Sequence, residues 1–281
     1  MASSSASPSD ARQLSAALAD TVLGGREVEV VGPSVLAVRC SADEVWPAWQ
    51  AARSVVDVTL RWPVVVTSWD KEDPWDLSVG LPPGGLAGVA ESASGVDPWA
   101  TLGRDVDEPL DGEDLEFALA DLPDSVTLTV EDVRELIGPD ATAGQIEELA
   151  FDRLPADAPW GQDLKALDWY EPTDQACAVV FLDTPLTWVA GGCVSYFEME
   201  GPDLVAAQKQ WSEKYGAELV AAWGTMLQFV ATRPPTDPRD AWLLAGQQLA
   251  VGPDLMMSGV TRFDLAFALV GRERWFLHNR P

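Results

Sequence analysis

Pro202-Asp-Leu-Val-Ala-Ala-Gln-Lys-Gln-Trp-Ser-Glu-Lys-Tyr215, then Gly216, then Ala217-Glu-Leu-Val-Ala-Ala222 and Thr225-Met-Leu-Gln-Phe-Val-Ala-Thr232 around Gly224, is the stretch on which the fold turns. It predicts a helix ended by Gly216 at the C′ position, followed by two strands joined through Gly224. Upstream, Ala176 to Asp183 reads as a strand. Downstream, Thr236-Asp-Pro-Arg-Asp240 supplies a cap, an early proline and a first-turn acid, so a helix runs from there to about Val251, before Gly252-Pro253. Thr261-Arg-Phe-Asp264 caps another helix, ended by Gly271, and Arg274 to His278 forms a last strand. Helices and strands in the order βαββααβ predict an α+β fold with a mixed, largely antiparallel sheet flanked by helices, in preference to a doubly wound parallel sheet.

Towards the N-terminus, Ser9-Asp10 followed by Leu14, Ala17, Leu18, Thr21 and Val22 predicts a first helix that stops at Gly24-Gly25. Glu27 to Val31 and Ser34 to Arg39 read as a hairpin, Ser41-Ala-Asp-Glu44 as a capping box, and Trp62 to Ser68 as a buried strand. From Trp69 to Pro109, prolines and glycines recur every few residues, which reads as a long irregular insert. Short helices are predicted over 112–121, 129–137 with a Thr129 to Asp132 cap, and 142–154 with a Thr142 to Gln145 cap. Pro155-Ala-Asp-Ala-Pro159 is the natural boundary. The expected organisation is therefore a flexible tail (1–10), an acidic N-terminal α+β part (11–155) with an irregular acidic Trp/Pro/Gly-rich insert (69–110), and a C-terminal α+β domain (160–281).

Several spaced elements in this C-terminal part carry a resemblance. Trp211-(x)4-Gly216-Ala-Glu-Leu-Val220, Arg233-Pro-Pro-Thr236, Ala241-(x)3-Ala245, Pro253-Asp254 and Leu265-(x)3-Leu269-(x)-Gly271-(x)3-Trp275-Phe276 together resemble the bacterial domain-of-unknown-function 4253 family, frequent in actinomycetes. A weaker echo lies at Ala48-Trp49 and Trp62-Pro-Val64. Two departures stand out: Gly252 replaces a usual cysteine, and Leu277-His-Asn-Arg-Pro281 replaces an aromatic, acid-ended tail. The resemblance implies a fold unit in a bacterial cytosolic setting and brings no catalytic residues.

Charge narrows the function. The 281 residues include 45 acidic and 18 basic side chains, a formal charge of −27, while 47% hydrophobic residues suffice for a packed core. That field repels phosphate backbones and anionic lipid heads, which argues against nucleic-acid and membrane partners. Residues 1–168 hold 32 acids and 10 bases, so most of the charge lies in the first part. The first ten residues show no secretory pattern, no apolar run reaches the ~20 residues of a membrane span, and three cysteines (Cys40, Cys177, Cys193) fit reduced thiols. A cytoplasmic location is expected. Cys177 and Cys193 are close enough in sequence to meet, although buried free thiols are the simpler expectation.

Chemistry-bearing motifs are sparse. His278 is the only histidine, no GxSxG elbow is present, and Gly84-Gly85-Leu-Ala-Gly88 lacks the strand and Lys-Ser/Thr of a phosphate loop. No cofactor and no zinc site is implied. Asp105, Asp107, Asp111 and Glu116 fall at EF-hand-like positions, but Pro109 and Leu110 stand where such a loop needs a ligand and a glycine, so no metal is assigned.

Two features remain. Nine acids and no base lie between Asp105 and Asp124, and thirteen tryptophans include Trp75 and Trp99 in irregular acidic surroundings. The leading expectation is a non-enzymatic, inhibitor- or immunity-like interaction module. It would engage a cationic protein through Asp105, Asp107, Glu108, Asp111, Glu113, Asp114 and Glu116 with Trp75 and Trp99. The plain alternative for this stretch is a solvated face, and for the tryptophans, loop anchors. A rival class is an enzyme or small-ligand binder with a cleft between the insert and the C-terminal sheet, using Arg233, Asp254 and Arg274. A structural homo-oligomeric subunit is the third.

Overall fold

The computed structural model describes residues 7–32, 35–68, 85–102, 108–173, 176–194, 196, 201–257 and 259–279. In chain order the elements are α1 (Pro8–Leu18), β1 (Glu29–Gly32), β2 (Val35–Cys40), α2 (Val45–Arg53), α3 (Val56–Thr59), β3 (Trp62–Ser68), α4 (Gly85–Ser92), α5 (Trp99–Leu102), α6 (Gly112–Ala120), α7 (Val130–Leu136), α8 (Ala143–Phe151), β4 (Ala176–Leu182), α9 (Thr187–Gly191), α10 (Pro202–Tyr215), β5 (Ala217–Ala222), β6 (Met226–Ala231), α11 (Pro238–Val251), α12 (Asp254–Met257), α13 (Arg262–Leu269) and β7 (Arg274–His278). They form two compact units. The first draws its described residues from 1–97, 167–233 and 274–281, the second from 98–166 and 234–273. Both units thus combine stretches from either side of residues 155–159.

Among the described residues, seven strands are present, all in the first unit and in one sheet ordered β1-β2-β4-β3-β5-β6-β7. Every pairing is antiparallel except β3 with β5. The α+β reading with a mixed, largely antiparallel sheet is therefore correct, and β1–β2 is the expected hairpin. Cys177 to Leu182 in the middle of the sheet are all buried, because a continuous apolar run needs cover on both faces. Cys40 stands opposite Cys177 in the β2–β4 register, so Cys177 has Cys40 as its strand neighbour in place of Cys193.

Helix α10 begins at Pro202 and ends at Gly216, whose φ of +60° is the left-handed conformation that glycine adopts without a Cβ penalty. Its buried face sets Leu204, Gln208, Trp211 and Tyr215 one turn apart, at the 3.6-residue period. Trp211 meets Phe229 of β6 and Trp275 of β7 edge-on, with ring centroids 6.0 and 6.3 Å apart, and Tyr215 meets Trp275 at 5.5 Å. Next to Trp275 in β7, Arg274 lies 4.8 Å from the Trp46 ring centroid and 4.9 Å from that of Trp169.

The regular elements of the second unit, among its described residues, are all helices. Phe151 stacks on Trp242 at 4.8 Å, and Trp160 meets Phe267 edge-on at 4.8 Å, so Trp160 anchors its loop onto the packed helices. Where an irregular insert was expected, Gly85–Ser92 and Trp99–Leu102 are helical; residues 69–84 and 103–107 lie outside the described residues. In α4 the spacing Leu86, Val89, Ala90, Ala93 follows a helical face despite the flanking glycines.

One ion pair makes stability depend on acid. Arg26 Nη2 lies 2.7 Å from Glu44 Oε1, and the Ser41 hydroxyl and backbone N–H both donate to Glu44, at 2.6 and 3.1 Å. The Arg26 guanidinium, followed by the Ser41 donors, holds the Glu44 carboxyl down at about 2. A depressed folded-state value contributes stability that is present above the ordinary 4.5 and is lost as pH falls towards 2. Urea denaturation midpoints of Glu44→Gln and the parent chain are therefore expected to converge as pH drops from 4.5 to 2; a constant gap across that window would refute the linkage.

Candidate functional site

Helices α6, α7 and α8 form a small three-helix cluster within the second unit. Each start has a cap: Asp111 Oδ1 accepts from the N–H groups of Glu113 (2.9 Å) and Asp114 (3.1 Å), while Thr129 with Asp132 and Thr142 with Gln145 form capping boxes. Leu110 N–H donates to Ala141 C=O (2.9 Å), which ties the entry of α6 to that of α8. Leu115, Val133, Ala141 and Ile146 make the core, with Ala118, Leu119, Leu122 and Ile137 packed around it. Leu115, Ala118, Leu119 and Leu122 share one face of α6, so Glu113, Glu116 and Phe117 face outward.

The result is an acidic surface bearing exposed apolar groups. Residues 108–151 contain thirteen carboxylates and one cation, Arg134. Phe117 is 68% exposed and Leu136 54% exposed on this same cluster. Of the acidic residues singled out by sequence, Glu108, Asp111, Glu113, Asp114 and Glu116 are all exposed on α6 or the turn before it. Asp111 is also a helix cap, so it serves the fold as well as the surface. Asp105, Asp107 and Trp75 lie outside the described residues, and Trp99 is half-buried in α5.

The rival set is divided. Arg233, exposed, donates from Nη2 to the Glu213 C=O (2.7 Å) at the end of α10, and Arg274 covers Trp46 and Trp169. Asp254 opens α12 in the second unit.

A cleft of about 300 Å³ lies in the first unit, and Arg233, Asp254 and Arg274 are not among its lining residues. Its wall includes Arg53, Trp62, Leu186, Trp188, Ser212 and Glu218. Sequence reasoning passed over Arg53 and Trp188, and took Trp62 as part of a strand and of the family echo. Arg53 and Glu218 are 165 residues apart, and no local spacing signals such a pair.

The cysteine thiols are held in their neutral form. Cys40, Cys177 and Cys193 are buried, and desolvation pushes the thiols of Cys40 and Cys193 up to about 12, far from the thiolate a nucleophile requires. Among the described residues, no group of three or more His, Cys, Asp or Glu side chains is placed to hold a metal ion. None of the described helices is long and apolar enough to cross a membrane.

No curated protein and no solved structure gave a match to the chain. Residues 186–278, from the residue before α9 to the end of β7, match the model of the family described as Domain of unknown function (DUF4253), and over this segment the resemblance read between Trp211 and Phe276 holds.

Proposed function

We propose that the α6–α8 cluster is the docking surface of a non-enzymatic cytoplasmic protein for a cationic protein partner. The observation that carries this reading is Phe117, 68% exposed on the face of α6 that also bears Glu113 and Glu116, in a stretch with thirteen carboxylates and one cation. An uncovered aromatic ring among carboxylates adds an apolar contact point to the charged face. A recognition face uses both: long-range attraction accelerates encounter, and a desolvated ring gives the complex its lifetime. The three buried thiols suit a reducing compartment.

The test is capture of basic proteins by the immobilised chain at about 50 and 500 mM salt, a range over which surface electrostatics are progressively screened. Capture is compared with a Glu113→Gln/Asp114→Asn/Glu116→Gln triple variant and with Phe117→Ser, and poly-lysine serves as a charge-only reference. Asp111 is left intact because it caps the helix. The triple variant is expected to lose about tenfold in association rate, and Phe117→Ser about tenfold in lifetime for the captured protein, with poly-lysine binding unchanged by the serine. Capture indifferent to salt and to both variants would remove the reading.

A further inference from the structure

The cleft between α9, α10 and the start of β5 has a built character independent of the acidic face. Strands β3 and β5 pair only at Val65–Ala221 and Val66–Ala222. Before that short pairing, Leu219 turns its backbone to side chains: its N–H donates to Thr187 Oγ1 (2.7 Å) and its C=O accepts from Trp62 Nε1 (3.1 Å). The walls are thus fixed by one residue of the sheet. Arg53, in the last turn of α2, lays its guanidinium over the Trp62 ring, 4.8 Å from the centroid, and donates from Nε and Nη2 to the two oxygens of Glu218 at 2.9 and 2.6 Å.

That fork leaves donors unspent. Among the described residues, Arg53 Nη1, the Ser212 hydroxyl and Trp188 Nε1 make no hydrogen bond, and all three residues line the cleft. Glu218 uses each oxygen once and keeps lone pairs to accept further protons. Trp188 and Leu186 supply apolar wall, with Lys209 Nζ 5.5 Å from the Trp188 ring centroid.

Charge selects among ligands. An anion would approach a guanidinium already neutralised by Glu218, inside a chain of net charge −27. A cation would approach a carboxylate already paired with Arg53, with Lys209 beside Trp188. A neutral molecule with several hydroxyls avoids both penalties, since a hydroxyl can accept from Arg53 Nη1 or the Ser212 hydroxyl and donate to Glu218. About 300 Å³ sits at the small end of ligand sites and suits one six-membered ring. We infer that the cleft of Arg53, Trp62, Trp188, Ser212 and Glu218 binds a neutral sugar ring, with the ring's C–H face on Trp188 and its hydroxyls on the Arg53–Glu218 pair.

Saturation-transfer NMR and calorimetry with glucose, galactose, mannose and N-acetylglucosamine test this, with benzoate and inorganic phosphate as anionic probes. At least one sugar is expected to bind saturably in the millimolar range, its ring C–H protons receiving the strongest transfer. Trp188→Ala should weaken that binding at least tenfold and Ser212→Ala about threefold; both replace half-buried side chains, and thermal melts check that the chain still folds. Three outcomes overturn the inference: no saturable response to any of the four sugars up to ~100 mM, sugar binding unchanged in folded Trp188→Ala, or binding of benzoate or phosphate with the sugars silent.

Discussion

Trp211→Ala is expected to lower the unfolding free energy by about 3–5 kcal/mol, the range for emptying a buried aromatic site. Trp211 is fully buried in α10 and touches both β6 and β7 through Phe229 and Trp275. The truncation therefore removes apolar burial and two edge-on ring contacts, each worth roughly 0.5–1.5 kcal/mol beyond area. Trp211→Phe keeps a ring in the site and should lose less than half as much. Urea denaturation followed by far-ultraviolet circular dichroism reads both variants, and a loss below about 1 kcal/mol for alanine would show that α10 does not rely on this contact.

Arg262→Ala should cost about 2–4 kcal/mol in the second unit, in the manner of a half-buried pair deprived of one partner. Its guanidinium carbon lies 3.9 Å from the Trp242 ring centroid, Nη1 lies 3.1 Å from Glu147 Oε2, and Nη2 donates to the Trp242 C=O at 3.4 Å. Gly246 in the middle of α11 makes room for it, since a Cβ there would come within 2.7 Å of Nη2. Burial raises the Glu147 carboxyl above its ordinary 4.5, and Arg262 pulls it back. An acid with a raised folded value contributes stability that is whole below the ordinary value and is lost as pH rises through the folded one. Without the arginine that folded value climbs further, so the deficit of Arg262→Ala should grow from pH 4.5 to 7, and Glu147→Gln added to it should recover part of the loss. A deficit independent of pH would mean that the stacking on Trp242, and not the charge pair, carries the effect.

Local chemistry made much of this fold legible before any coordinates. Thr129, Thr142 and Thr261 cap the helices their spacing announced, Asp237 with Pro238 opens α11, and Gly216 closes α10, because caps and breakers act within four residues of themselves. The short α9 and α12 escaped: at five and four residues they are too brief for a hydrophobic period to register. The acidic residues of α6 could be named from sequence, but that Phe117 stands outside while Leu115 turns in required the helix. The cleft was hidden for a different reason. Arg53 with Glu218 and Trp62 with Leu219 are pairings made by strand order, and β3 beside β5 is a neighbourhood that no linear spacing encodes. For the same reason no local spacing accounts for Gly246 in the middle of α11, which leaves room for Arg262 from α13.

The weave of the two units bears on how the chain is made. Segments 1–97 and 167–233 of the first unit leave the ribosome well before β7, yet β6 gains its second strand neighbour, and Trp211 its Trp275, only when residues 274–278 emerge. The helices α11 to α13, which complete the second unit, are synthesised in that same interval. Neither unit closes as a contiguous piece during translation, as simple N-to-C domain folding would have it. Until residues 274–278 emerge, the nascent sheet ends in β6, with an open edge and an aromatic core still lacking a ring, so this is the interval in which that edge is free to pair with another copy.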